Sequence, residues 1–268
     1  MRGVSASPEA FVPTLSALVM TQNMAETTRR CLESVKWADE IVVVDSFSTD
    51  GTLDVCGEYG ARVFERQYDR AAHQVLFGLE HVTSDWTLRI DADEEATADL
   101  AREIGGVTAE DGDGYDGFEV PRLILFDGRP LRHGGAVTAP LRLARTRLFD
   151  HSTERVHARG IVHGKVRRLK HHLLHYSYAD YADLLARMNR YSDLVQSHLA
   201  PAKGVVRPPY LLLRLLYEFG YRYLMRGGFL DGVPGLMWCV SHTTYTFAKY
   251  AKLWERNRGL RADDDAAT

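Results

Sequence analysis

Short apolar runs alternate with amphipathic stretches through the first part of the chain. LSALVMT (15–21) is one such run, and in the polar QNMAETTRRCLESV that follows, Ala25, Cys31, Leu32 and Val35 fall near helical spacing. EIVVVD (40–45) is β-branched and predicts a strand ending on Asp45, while STDGTLDVCGEYG (48–60) predicts a capped helix closed by Gly60. ARVFER (61–66) predicts a third strand, RAAHQVLFGLEHV (70–82) a helix and WTLRIDAD (86–93) a fourth strand. Strand and helix in turn, joined by a few residues, predict an α/β fold: an open parallel sheet covered on both faces by helices. Ligands of such sheets bind at the carboxyl ends of the strands.

Composition narrows the classes. The chain has 268 residues, 45% of them hydrophobic, enough for a globular core. A formal net charge of −3 gives no support to nucleic-acid binding as the main task. Three widely spaced cysteines, Cys31, Cys56 and Cys239, fit neither a disulfide framework nor a zinc site, which points to a reducing, cytoplasmic compartment. The first residues lack the apolar core and cleavage site of a signal peptide, and no stretch reaches the length of an uninterrupted membrane span.

Candidate chemistry gathers at the strand ends. Thr21-Gln22-Asn23, Asp45 and Asp91-Ala92-Asp93 should converge on one crevice. In RIDADEEA (89–96) four carboxylates crowd into five positions, and a cation is one reason to collect them; a solvated turn opening a helix is the other. Asp91 and Asp93 point the same way if the chain is still extended there. Glu94 and Glu95 are expected to start the next helix. Ser48, Thr49 and Asp50 suit helix capping, whereas Asp45, a carboxylate closing an apolar strand, needs a partner or a ligand.

Taken in order, LSALVMTQN, CLESVKWADEIVVVDSFSTDGT, YGARVFER, SDWTLRIDADEE, LLHYSYADYADLLARMNRYS and RGGFLDGVPGLMWCVSHTTYTFAKYAKLWE resemble family 2 glycosyltransferases, most of all the branch that adds sugars to lipopolysaccharide core. The resemblance implies a GT-A fold, a nucleotide-sugar donor, Mg²⁺ or Mn²⁺, and transfer with inversion. It implies that Asp93 binds the metal, that Asp91 faces the ribose or orders the metal's waters, and that Thr21, Asn23, Asp45 and Arg66 surround the base and ribose. A carboxylate there can accept the imide N–H of uracil or thymine, favouring a UDP- or dTDP-linked hexose. The metal would stabilise the leaving diphosphate.

Two departures stand out. Where relatives read Val-His-Glu, with the Glu as base, this chain has Val156-His157-Ala158. His157 is retained and suits the metal shell or the diphosphate; Glu154 is the nearest substitute base and Asp150 another. In RAAHQVLFGLE, Gln74 is kept, but Val75 and Leu76 replace the Lys and Asn that touch the donor in relatives. The expected acceptor is a saccharide or lipid-linked saccharide. The alternatives are a soluble small molecule in a natural-product pathway and a catalytically degenerate nucleotide-sugar-binding protein.

Residues 1–200 are expected to form the catalytic domain, 201–258 an amphipathic helical extension and 259–268 a disordered tail. Tyr178, Tyr181, Leu184, Leu185, Met188 and Tyr191 read as core packing. The stretch 207–256 mixes Leu, Phe, Tyr and Trp with Arg207, Arg214, Arg222, Arg226, Lys249 and Lys252. It suits peripheral contact with the inner face of a membrane, or equally packing on its own domain or in a homo-oligomer.

Overall fold

The computed structural model describes residues 12–152, 159–199 and 207–266. Strand β1 (Leu15–Thr21), helix α1 (Ala25–Val35), β2 (Glu40–Asp45), α2 (Thr52–Glu58), β3 (Arg62–Glu65), α3 (Ala71–Leu79) and β4 (Trp86–Asp91) follow one another as the hydrophobic pattern predicts. Then come β5 (Glu94–Ala96), α4 (Ala98–Ala109), β6 (Gly117–Glu119), β7 (Arg122–Phe126), β8 (Arg129–Pro130), β9 (Leu141–Arg145) and β10 (Phe149–His151). β11 (Gly160–Val162), β12 (Val166–Arg168), β13 (Leu173–His175), α5 (Tyr181–Leu199), α6 (Pro208–Gly220) and α7 (Gly232–Ala266) complete the described chain. Contacts divide it into two compact units, one reaching to Pro121 and resuming over Ala139–Leu173, the other made of Arg122–Thr138 and the chain from Leu174 onward.

The first unit is built on a seven-stranded sheet in the order β12-β6-β9-β4-β1-β2-β3. β1 pairs in parallel with both β2 and β4, and β2 with β3, whereas β9 runs antiparallel between β4 and β6. The sheet is therefore mainly parallel, and helices cover it as the α/β reading expects. Alternation of side chains along β1 explains the two cores. Ala17 and Val19 pack with Cys31, Leu32 and Val35 of α1 on one face, and Leu18 packs with Val42, Val44 and Val75 on the other. Gly78 lets α3 lie close against that second face. A Cβ there would come within 2.5 Å of a Leu18 methyl and 3.0 Å of a Val44 methyl.

One expectation is overturned. Glu94 and Glu95 do not open a helix; they form β5, and α4 begins three residues later. Thr97 supplies the cap, its Oγ1 accepting from Leu100 N at 3.3 Å and donating to the His172 carbonyl at 3.0 Å. The reason lies in Glu94 itself, whose side chain is buried and committed to an arginine far along the chain.

In the second unit, β7 and β8 form a hairpin across Asp127 and Gly128, both with positive φ, the backbone that an Asp-Gly turn supplies. Its core joins Ile124, Phe126 and Leu131 to Leu184, Met188 and Trp238. Of the stripe expected on α5, Leu184 and Met188 are buried, while Leu185 and Tyr191 are exposed. All three cysteines are buried free thiols. Among the described residues no helix is long and apolar enough to cross a membrane.

Candidate active site

The strand order turns back at β1: β2 and β3 lie to one side of it and β4 to the other. Such a switch point opens a crevice at the carboxyl ends of the strands. Register fixes what meets there, with Thr21 level with Asp45 and Met20 level with Asp91. A cavity of about 190 Å³ occupies the place, lined among others by Thr21, Gln22, Ser46, Gln74, Arg89 and Asp91. A larger open groove, of about 570 Å³, runs beside Arg30, Trp37, Glu95 and Arg102, away from the carboxyl ends of β1 and β2.

The loops after β1 and β2 hold each other. Asn23, at φ 50°, accepts a hydrogen bond from Thr49 N at 2.7 Å, and its own N–H donates to the Ser48 hydroxyl at 2.8 Å. Asp50 bridges two helix starts, accepting from Ala25 N at 3.2 Å and from Thr52 N at 3.0 Å. Thr52's hydroxyl and these two amides hold its carboxyl below the usual range. Asp45 is fully buried and accepts from Ser48 N at 2.7 Å and Ser48 Oγ at 2.5 Å. Ser48 thus partners Asp45 instead of capping a helix, and a ligand reaches that carboxylate only when Ser48 gives way. Thr21 is also buried, its hydroxyl paired with that of Thr28 at 3.0 Å.

Gln74 forms the floor. Its amide nitrogen donates to Ser46 Oγ at 2.7 Å and to the Arg66 carbonyl at 3.0 Å, and its oxygen accepts from Arg66 Nη1 at 2.9 Å. Arg66 also bonds Asp69 at 2.8 Å, and together with His73 it holds the Asp69 carboxyl well below its ordinary value. Val75 faces the sheet within the apolar cluster, so an apolar residue at that position costs the crevice no polar contact.

The acidic run is not a bare cluster of negative charge. Asp91 accepts from Arg89 Nη2 at 2.6 Å through one oxygen and from Arg142 Nη2 at 2.8 Å through the other. The same Arg142 nitrogen donates to Glu94 at 2.6 Å, and Glu94's second oxygen accepts the backbone N–H of Asp91 at 3.0 Å. Arg142 and Glu94 are both buried, and the Nε and Nη1 of Arg142 find no partner among the described residues. Arg142 comes from β9, and neither it nor Arg89 figures among the residues expected from the sequence. Nothing local marks Arg142; Arg89 sits in full view inside RIDADEEA, masked by the acids around it. The chain leaves β4 at Asp91 and turns through Ala92 and Asp93, so the extended geometry assumed for the Asp91/Asp93 pair does not hold. A hard cation needs one or two carboxylates besides phosphate and water. Among the described residues no three His, Cys, Asp or Glu side chains gather where they could hold a metal ion; Asp93 is half-buried in that turn, and Asp91 already has both oxygens engaged by guanidinium groups.

On β10, Asp150 is exposed and accepts its neighbour's backbone N–H at 2.7 Å. That neighbour, His151, is buried, and burial, reinforced by Arg89, lowers its pKa; its Nδ1 lies 3.1 Å from the Ser152 carbonyl. Glu154 and His157 lie outside the described residues.

Residues 16–117 match the family model described as Glycosyl transferase family 2. The chain is 28% identical to the lipopolysaccharide core biosynthesis glycosyltransferase LpsC of Rhizobium meliloti, over 91% of this chain and 93% of that one. It is also 28% identical to an uncharacterized glycosyltransferase of Rickettsia bellii, over 91% and 86%. Among solved structures it resembles a mannosyltransferase from Pyrobaculum calidifontis, in complex with GDP-Man and Mn²⁺, with a TM-score of 0.54 and 17% identity over 92% of this chain and 88% of that one. The strand order, the crevice at the β1/β4 switch and the sequence match agree: residues 16–117 are similar to glycosyl transferase family 2, and the fold is that of the Pyrobaculum enzyme.

Proposed function

We propose that the protein is a metal-dependent, inverting glycosyltransferase that moves a sugar from a UDP- or dTDP-linked donor to a hydroxyl of a saccharide or lipid-linked saccharide, with its active site on the cytoplasmic side. The observation that carries this reading is the crevice between β1 and β4, where Arg89 and Asp91 face Thr21, Gln22 and Gln74. The name of the Rhizobium relative supports the acceptor class, and the Mn²⁺ and GDP-Man of the Pyrobaculum enzyme support a metal and a nucleotide sugar.

In this reading Asp93 holds Mg²⁺ or Mn²⁺, and the ion supplies charge stabilisation to the leaving diphosphate. Arg89 adds a second positive group facing the same space. Arg142 and Glu94 keep the Asp91 carboxylate in one orientation, so that it meets the donor's ribose without reorganising. Asn23, Asp45 and Ser48 shape the base-binding loops, and the pyrimidine preference rests on Asp45 once Ser48 yields. Arg66 fixes Gln74. Glu154 takes the acceptor proton, with Asp150 as the other carboxylate nearby and His157 beside the diphosphate or in the metal shell. Ala158 at the usual position of the base favours the second reading, a nucleotide-sugar-binding protein without turnover.

A donor screen scored by nucleotide release, with and without Mn²⁺, tests the proposal. The expected outcome is metal-dependent release from a pyrimidine-nucleotide sugar, most of it lost in Asp93→Asn with the thermal midpoint unchanged, because an amide is a poorer ligand for a hard cation. Near-normal turnover in EDTA removes the metal from the mechanism. Tight donor binding with no release from any donor, in the presence of a lipopolysaccharide-core acceptor, establishes the second reading.

A further inference from the structure

The second unit carries an apolar stripe that nothing in that unit covers. α6 and the turn of π-helix after it, Tyr221–Met225, place Leu213, Leu216, Tyr217, Tyr221, Leu224 and Met225 at spacings of one, three and four, the pattern of one broad helical face. All six are exposed, from 39% for Tyr221 to 79% for Met225. A soluble helix normally buries such a face.

Along the segment that carries the stripe, the exposed charges have one sign. Residues 207–240 contain four arginines and two acids. Both acids are withdrawn: Glu218 is buried and paired with Arg222 at 2.6 Å and with Arg214 at 3.4 Å, and Asp231 accepts from the His133 backbone and ring. Arg207 and Arg226 remain exposed, and Arg214 is half-exposed. Arg214 and Arg226 lie over the rings of Tyr217 and Tyr221, at 5.4 and 5.8 Å, and the two rings stack on each other. Tyrosines with an apolar body and a polar tip, flanked by guanidinium groups, match the level where acyl chains meet headgroups.

We infer that this face docks on an anionic lipid bilayer, with α6 lying in the plane of the interface and its leucines entering the acyl boundary. Exposed cations without exposed acids complement an anionic surface and oppose a second copy of the same positive face. A helix of this length lies in a membrane and does not span it. The inference stands apart from the reaction, since it uses no residue of the crevice.

The test is sedimentation of the full-length protein with vesicles of phosphatidylcholine alone and of phosphatidylcholine mixed with phosphatidylglycerol. The protein should pellet with the mixed vesicles and stay in solution with the neutral ones, and added salt should weaken the binding. Leu213→Ser combined with Leu216→Ser should abolish pelleting while leaving circular dichroism and thermal midpoint unchanged, because both side chains are already exposed. Arg207→Gln and Arg226→Gln should each lower the partition coefficient about fivefold. Equal pelleting with both vesicle types, or wild-type pelleting of the double leucine variant, overturns the inference. So does a lipid-free dimer that the leucine substitutions convert to a monomer, which would assign the face to a second copy.

Discussion

Glu94 and Arg142 show how a site carboxylate is held. Breaking a buried ion pair by removing one partner strands the other charge and costs about 3–5 kcal/mol, whereas replacing both by apolar groups is often neutral. Arg142→Met should therefore lower stability by about that amount and release Asp91 from one of its two guanidinium partners. Arg142→Met with Glu94→Leu should regain most of the stability. It should not regain the turnover, because Asp91 still lacks its second arginine. Urea midpoints and nucleotide release on the two variants check this, and equal stability of single and double variants would mean that the pair carries no such cost. The unpaired Nε and Nη1 of Arg142 fit the same view, since burial without full hydrogen bonding is tolerated where a charge has work to do.

α3 offers a case where propensity and packing oppose each other. Alanine is favoured over glycine in a helix by about 1 kcal/mol, but forcing a methyl into a packed core costs about 1–3 kcal/mol. At position 78 the methyl would meet Leu18 and Val44 of the sheet. Gly78→Ala should thus destabilise, and a shifted α3 should carry Gln74 away from Ser46 and Arg66, weakening donor binding as well. Calorimetric binding of a nucleotide sugar together with thermal melts checks both effects; a stabilised variant would show that α3 has room. The strands and helices through Asp91 were legible in the sequence because their hydrophobic periods are unbroken and their turns are short. Glu94 was misread because local acidity looks the same whether a helix start or a distant arginine compensates it. Arg142, forty-eight positions away, leaves no local signal. For Asp45 the sequence asks for a partner or a ligand, and Ser48, three residues on, supplies a partner that no local pattern names.

Across the whole molecule, histidines whose pKa values are lowered by burial occur in both units, His151 in the first and His242 in the second. His242, on α7, lies against Trp238 with ring centroids 4.1 Å apart and the rings tilted by 49°, and burial, reinforced by Arg222, brings its pKa down to about 4. The unfolded chain then binds a proton that the native state refuses, so stability is fully present above about pH 6.5 and is lost as pH falls toward about 4. Glu103 in the first unit and Asp183 in the second have lowered pKa values, and their contribution disappears only at still lower pH. Urea unfolding across this range should show an early acid loss that His242→Gln flattens; an unchanged profile in that variant would place the loss elsewhere. The antiparallel strand β9 carries a further consequence, one of timing. The chain leaves the first unit at Pro121 and re-enters it only at Ala139, just before Arg142. A polypeptide emerging from the ribosome can lay down β1 to β4 from neighbouring segments, yet its acidic turn lacks Arg142 until the excursion has been made and β9 slides in beside β4. Contacts between distant segments form slowly because loop closure must come first. The crevice thus waits for a segment that the ribosome delivers fifty residues after β4, and a translation product ending before β9 would own β1 to β4 without the arginine that holds Asp91.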